Sequence, residues 1–351
     1  MLMEKNNPHG GDVYGGGIKL DFSANVNPFG TPEAVRQAVI AAAGDVARYP
    51  DAYCRELRRA LACHERVPRE YILCGNGAAD LIYSFVYAVA RERKGAVRIT
   101  MPTFSEYETA SRAAGLDIKP YFLRRETDFA PDEGILDGID ESVGAVFLCT
   151  PNNPTGQLPS SALVRALAER CRDAHARLFL DCCFLDLADT PDVYDIPSLI
   201  RDFPNVFVLR AFTKSYGMAG LRLGWGLCSD TAFLDRMAEA VPCWNVSSVA
   251  QAAGIAALSC GDEISRFRAL VAAERPYLAE SLVSLGCRVI PGTANFLMFR
   301  ATPTLGGDLR RRGILIRRCE NFLGLDASDY RIAVRTHEEN EALLGAIKDC
   351  L

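Results

Sequence analysis

The chain has 351 residues, 49% of them hydrophobic, and a formal net charge of −5. That length can bury a large core and suits two lobes. No run of about 18 apolar residues offers a membrane-crossing helix, and no basic block recommends nucleic acid as the main partner. Met1–Pro8 contains no apolar signal core, so a cytoplasmic protein is expected. The 13 cysteines are scattered, with only Cys182 and Cys183 adjacent and no paired C-x-x-C sets, and there are only 4 histidines. Reduced, buried thiols and no metal site are therefore expected.

In chain order, a glycine-rich tract over residues 10–17 leads to Ile18–Phe22. Thr31 is placed to cap a helix running to about Ala43, with Glu33 in its first turn. From residue 70 the pattern alternates. Short apolar runs at Tyr71–Cys74, Ala96–Ile99, Ala145–Leu148, Leu178–Leu180 and Val206–Leu209 predict buried strands. Amphipathic stretches between most of them, such as Ser160–Arg172, predict helices. A largely parallel sheet covered by helices follows. After about Ala240 come a helical region over Ser247–Leu285, short strands near Arg288–Ile290, Asn295–Phe299 and Ile314–Ile316, and a final helix from about Glu338. The expected organisation is an N-terminal arm and part of a small domain over residues 1–44, a large domain over 45–240, and a small α+β domain over 241–351.

Polar motifs fall just beyond the predicted strands. Gly75-Asn76-Gly77-Ala78-Ala79-Asp80 follows one, Pro151-Asn152-Asn153-Pro154-Thr155-Gly156 follows another, Asp181 ends a third and Lys214 follows a fourth. In open α/β sheets, ligands sit at the carboxyl ends of the strands, so one shared site is expected there. The glycine turn lets backbone approach a ligand, and the amides of Ala78 and Ala79 would open a helix towards a phosphate. Asp181 closes a nearly all-apolar strand, where a buried carboxylate needs a cationic partner; a helix cap or structural ion pair is the alternative. Lys214 lies among small residues, where partial desolvation lowers an amine pKa and favours Schiff-base chemistry. Arg222, eight residues on, suits a phosphate. An amine that bonds an aldehyde, with an arginine on that aldehyde's phosphate, fits pyridoxal phosphate. The alternative is a surface lysine beside a structural arginine.

These residues carry a resemblance over almost the whole chain. With His9-Gly10-Gly11, Leu20–Pro28, Arg48-Tyr49-Pro50-Asp51 and Leu148–Gly156, the sequence resembles the fold-type I pyridoxal-phosphate enzymes of the histidinol-phosphate aminotransferase branch. Within that branch it is most similar to the threonine-phosphate decarboxylases of cobalamin biosynthesis. The resemblance implies an aspartate-aminotransferase-like α/β fold, with a large three-layer domain and a smaller α+β domain. It implies a homodimer with shared active sites. It also implies that Lys214 bonds the cofactor and later moves protons, that Asp181 keeps the pyridine nitrogen protonated, that Asn153 bonds the phenolic oxygen and that Phe104 stacks on the ring. Gly77, Ala78, Ala79, Thr213 and Arg222 would hold the cofactor phosphate, joined by Tyr49 from the neighbouring subunit. Arg331 would grip the substrate's α-carboxylate beside Asn153, and Arg317, His9 and Asn25 would take the substrate's own phosphate. Arg318 and Arg335 are expected to be solvated. Phe184 stands where most aminotransferases carry a tyrosine, which leans towards the decarboxylases. Ala211 and Cys182 replace a serine and a glutamate usual in the family. The implied reaction is decarboxylation of O-phospho-L-threonine or a related phospho-amino acid, with histidinol-phosphate or aromatic amino acid transamination as the alternative.

Overall fold

The computed structural model describes residues 9–92 and 95–351; the sequence reading of Met1–Pro8 lies outside them. The elements run β1 (Leu20–Asp21), α1 (Glu33–Ala42), α2 (Arg55–Glu65), β2 (Ile72–Gly75), α3 (Gly77–Glu92), β3 (Ala96–Met101), α4 (Glu106–Ala113), β4 (Asp117–Phe122), β5 (Val143–Cys149), α5 (Ser161–Asp173), β6 (Arg177–Asp181), α6 (Ile196–Asp202), β7 (Val206–Ala211) and β8 (Gly224–Leu227). They continue as α7 (Thr231–Ala238), α8 (Ser248–Ala257), α9 (Gly261–Ser284), β9 (Arg288–Ile290), β10 (Phe296–Arg300), α10 (Leu305–Arg311), β11 (Ile314–Leu315), β12 (Arg317–Arg318), β13 (Asp329–Ala333) and α11 (His337–Lys348).

Seven strands form the main sheet in the order β2-β8-β7-β6-β5-β3-β4. Only β8 runs against its neighbours. Because β8 opposes both β2 and β7, those two point the same way, and the carboxyl ends of β2, β5, β6 and β7 share one edge. The central strands β5, β6 and β7 are almost wholly apolar because both faces are covered. Along β5, Val146 and Leu148 face one apolar cluster while Ala145, Phe147 and Cys149 face the other. Leu178 and Leu180 alternate with Phe179 on β6 in the same way. Helices α2, α5, α6 and α8 cover the first face, and α3, α4 and α7 the second. A third cluster joins α9, α10 and α11 to the four-stranded sheet β12-β13-β10-β9. Two helices pack across the chain order: Val35 on α1 and Ala250, Ala253 and Ala257 on α8 belong to the main-sheet core.

Several local expectations change. The first helix begins at Glu33 after Pro32, with no side-chain cap, because the Thr31 hydroxyl donates instead to the Gly217 carbonyl at 2.7 Å. The helical region over Ser247–Leu285 is two helices, parted between Ala257 and Gly261. Strands β4 and β8 were not foreseen. The first is a half-exposed edge carrying Pro120, and the second reads Gly-Trp-Gly-Leu, neither of which gives a clean period-two signal. Among the described residues, no helix is long and apolar enough to cross a membrane.

The second face is an aromatic layer. Phe179 lies 4.6 Å from Phe147, 4.8 Å from Phe85 and 5.3 Å from Phe207, centroid to centroid. Tyr107 stacks on Phe147 at 5.0 Å. Phe179→Ala should destabilise the fold by about 3–5 kcal/mol, read as a lower urea midpoint. An unchanged midpoint would show that the layer closes over the gap without loss.

Candidate active site

The shared strand edge opens into a cavity of about 460 Å³. Its wall takes Ala78 and Ala79 from the start of α3, Phe104 and Glu106 after β3, and Asn153 after β5. Asp181 at the end of β6 and Thr213, Lys214 and Arg222 after β7 continue it, and Arg317 and Arg331 enter from β12 and β13. The two strands pair so that Arg317 and Arg331 stand directly opposite each other. Like charges so placed are unfavourable unless an anion lies between them.

Arg331 is 6% exposed. It donates only to neutral acceptors, the side-chain oxygen of Asn153 and, at 2.7 Å, the carbonyl of Ser23. Its Nε is buried and has no partner among the described residues. Burial lowers its pKa to about 10, so it stays cationic at neutral pH. Arg317 donates to the Arg318 carbonyl and to Asn321 at 2.7 Å. Arg222 donates to the Ala219 carbonyl at 3.1 Å from a left-handed backbone, φ +53°. Its guanidinium lies against Gly77 so closely that a Cβ there would stand 2.6 Å from Nη2. The Lys214 amine lies 5.6 Å from the centre of the Phe184 ring, with no tyrosine hydroxyl at that position. Burial, with Arg331 and Arg222 adding to it, lowers the Lys214 pKa to about 8. None of these four cations forms an ion pair with a carboxylate among the described residues.

Asp181 is also buried, at 6% exposure. It accepts from the Tyr107 hydroxyl at 2.5 Å and the Cys183 amide at 2.9 Å. Burial pushes its carboxyl up, while those hydrogen bonds pull it down. Burial and the neighbouring carboxylate raise the Tyr107 phenol well above its usual range, which keeps it a donor.

The cavity therefore gathers His9, Ala78, Ala79, Phe104, Asn153, Asp181, Thr213, Lys214, Arg222, Arg317 and Arg331 from the residues foreseen. Gly77 stands behind Arg222 rather than on the wall. Asn25 is buried next to the wall residue Ala24, and both its amide atoms lack a hydrogen-bond partner among the described residues. Tyr49 lies outside the cavity, 79% exposed, and stacks on the half-exposed Trp244 at 4.4 Å. Arg318 is half-exposed and paired with Glu320; Arg335, expected to be solvated, is only partly exposed and bonds Glu339 at 2.6 Å and the Asp21 carbonyl at 3.1 Å. Glu106 and Tyr107 were missed. Nothing in Phe104-Ser105-Glu106-Tyr107 sets these two apart from an ordinary helix start.

Residues 17–347 match the model of the aminotransferase class I and II family. The chain belongs to this family. It is 38% identical to the threonine-phosphate decarboxylase of Salmonella typhimurium, over 99% of this chain and 97% of that one. It is 33% identical to the histidinol-phosphate aminotransferase of Methanosarcina mazei, over 94% and 87% of the two chains. The crystal structure of the Sinorhizobium meliloti histidinol-phosphate aminotransferase in complex with pyridoxal 5′-phosphate superposes with a TM-score of 0.85. It is 25% identical and covers 95% of this chain and 90% of that one. The fold is aspartate-aminotransferase-like, and the family's cofactor is pyridoxal 5′-phosphate.

The donor set fits that cofactor. Asp181 is a buried carboxylate with no cation paired to it among the described residues, as a protonated ring nitrogen requires. The amine has a lowered pKa, as an aldehyde requires. An uncompensated guanidinium beside the amino end of a 16-residue helix suits a phosphate.

Two outcomes follow. Only the unprotonated amine attacks an aldehyde, so capture of the cofactor by cofactor-free protein should quicken about tenfold from pH 7 to pH 9, following a lysine pKa near 8. Borohydride should then fix the adduct on the native chain and not on Lys214→Ala; a flat pH profile would contradict the lowered pKa. Tyr107→Phe strips one donor from a buried carboxylate and should weaken cofactor affinity about tenfold, read by absorbance titration. An unchanged affinity would make the Tyr107 bond incidental.

Proposed function

We propose that this protein decarboxylates O-phospho-L-threonine, or a closely related phospho-amino acid, to an amino alcohol phosphate for cobamide biosynthesis. It would act as a cytoplasmic homodimer. The observation that carries the reading is the opposed pair Arg317 and Arg331, two buried cations in one cavity without carboxylate partners among the described residues. Such a pair suits an amino acid with two anionic groups. The Salmonella typhimurium decarboxylase, alike over almost the full length of both chains, supports the choice of reaction.

When bound, pyridoxal phosphate supplies an aldehyde for the amine and a π-system that accepts the electron pair released at Cα. Asp181, held by Tyr107, keeps a proton on the ring nitrogen. Phe104 covers the ring and Asn153 bonds its phenolic oxygen. The Ala78 and Ala79 amides, with Gly77 behind them, hold the cofactor phosphate together with Thr213 and Arg222. Tyr49, on the exposed apolar pair with Trp244, reaches it from the other subunit. Arg331 holds the α-carboxylate and so sets the rotation about Cα. Arg317, with His9 and Asn25, holds the substrate phosphate. The bond from Cα to the carboxylate would break with its electron pair left at Cα, carbon dioxide would leave, and Lys214, in its protonated ammonium form, would deliver the proton that takes its place. Phe184 presents an apolar ring to that amine.

The second reading, transamination of histidinol phosphate or an aromatic amino acid, is supported by the Methanosarcina mazei relative. It uses the same residues but removes the Cα proton instead. The deciding experiment supplies the holoenzyme with O-phospho-L-threonine and no keto acid. Carbon dioxide should be released, and Arg317→Ala should raise KM by about tenfold or more. No carbon dioxide there, but glutamate formed once histidinol phosphate or an aromatic amino acid is supplied together with 2-oxoglutarate, would establish the second reading instead.

A further inference from the structure

A carboxylate stands in the wall of this cation-lined cavity where the reading above gives it no task. Glu106 opens α4, beside Phe104, and its side chain is 17% exposed. In a pocket for two anions an uncommitted carboxylate would repel the substrate. Glu106 is committed. Its Oε1 lies 2.9 Å from Nε2 of His9, and its Oε2 accepts from the Tyr83 hydroxyl at 3.4 Å. The His9 bond is the main reason its carboxyl titrates below the usual range.

His9 is tied from its other side as well. A Cβ on Gly10 would stand 2.3 Å from the Ser23 carbonyl oxygen, so only glycine fits that contact. The Gly11 amide donates to the Ser23 hydroxyl at 2.7 Å, and that hydroxyl donates to Asp21 at 2.6 Å. The same Ser23 carbonyl accepts from Arg331. Residues 9–11 therefore rest on the turn after β1, which pairs with β11, while the imidazole reaches across to α4 of the main-sheet unit. Its ring also lies 5.7 Å from that of Phe104.

We propose that Glu106 is a specificity-determining positioning residue, which through its bond to His9 holds the imidazole in the cavity wall where a phosphorylated amino acid presents its second anion. The inference deepens the reading above and rests on a substrate that carries phosphate. Glu106 acts through His9: its contact with Nε2 fixes where that ring stands. An amino acid without phosphate has no use for the arrangement.

The test compares holoenzyme with Glu106→Gln, His9→Asn and the double variant. O-phospho-L-threonine, L-threonine and inorganic phosphate are each measured as substrate or as competitive inhibitor. Glu106→Gln keeps the size and removes the charge. It should raise KM for O-phospho-L-threonine and Ki for inorganic phosphate about tenfold, with kcat changed by less than about threefold. The L-threonine constant should move by less than about twofold. His9→Asn should do the same, and the double variant no more than either single one, since both break one contact. An unchanged KM in Glu106→Gln, an equal loss for L-threonine, or additive losses in the double variant would each overturn the proposal. Failure of the underlying reading is separable, because the unaltered holoenzyme would then not prefer O-phospho-L-threonine to L-threonine and would not be inhibited by phosphate.

Discussion

Uncompensated positive charge is the constraint on which the site depends. Lys214, Arg222, Arg317 and Arg331 line one cavity, and among the described residues no carboxylate is paired to any of them. Removing such groups from water costs several kcal/mol per ion unless something answers the charge. The lowered pKa values of Lys214 and Arg331 register that cost directly. A protein built this way is most comfortable when anions fill it. Two phosphates and a carboxylate are what a phosphorylated amino acid and the family's cofactor would bring.

The scaffold makes the arrangement tolerable by holding it stiffly. Arg317 and Arg331 sit on a strand pair, and Lys214 and Arg222 on the connection between β7 and β8, strands of a sheet packed on both faces. The aromatic layer reaches the chemistry through one residue. Tyr107 stacks on Phe147 at one end and donates to Asp181 at the other. The acidity of the carboxylate is thus joined to the packing beneath it by a single phenol.

Much of this was legible in the chain itself. Apolar runs of three or four residues between helical patterns are the mark of strands buried on both sides, and the polar residues just past them had to share an edge. What stayed hidden was whatever local pattern does not encode. Glu106 and Tyr107 are unremarkable members of a helix start until the fold brings His9 and Asp181 to them. Thr31 looked like a cap because caps are local, yet its hydroxyl is claimed by a carbonyl 186 residues away. Strand β8 escaped because glycine and tryptophan alternate there without a polar face. Arg335 looked like a surface charge, but Glu339 one turn on holds it.

Arg331 and Ser23 are 308 residues apart in the chain, and the short pair β1–β11 joins segments almost as remote. Contacts of such span form late and slowly compared with neighbouring strands. On the ribosome, the seven-stranded sheet can close while the last third of the protein is still being made. The contact between Arg331 and Ser23 cannot. Binding competence therefore arrives only when the two remote stretches meet, well after a stable body has formed.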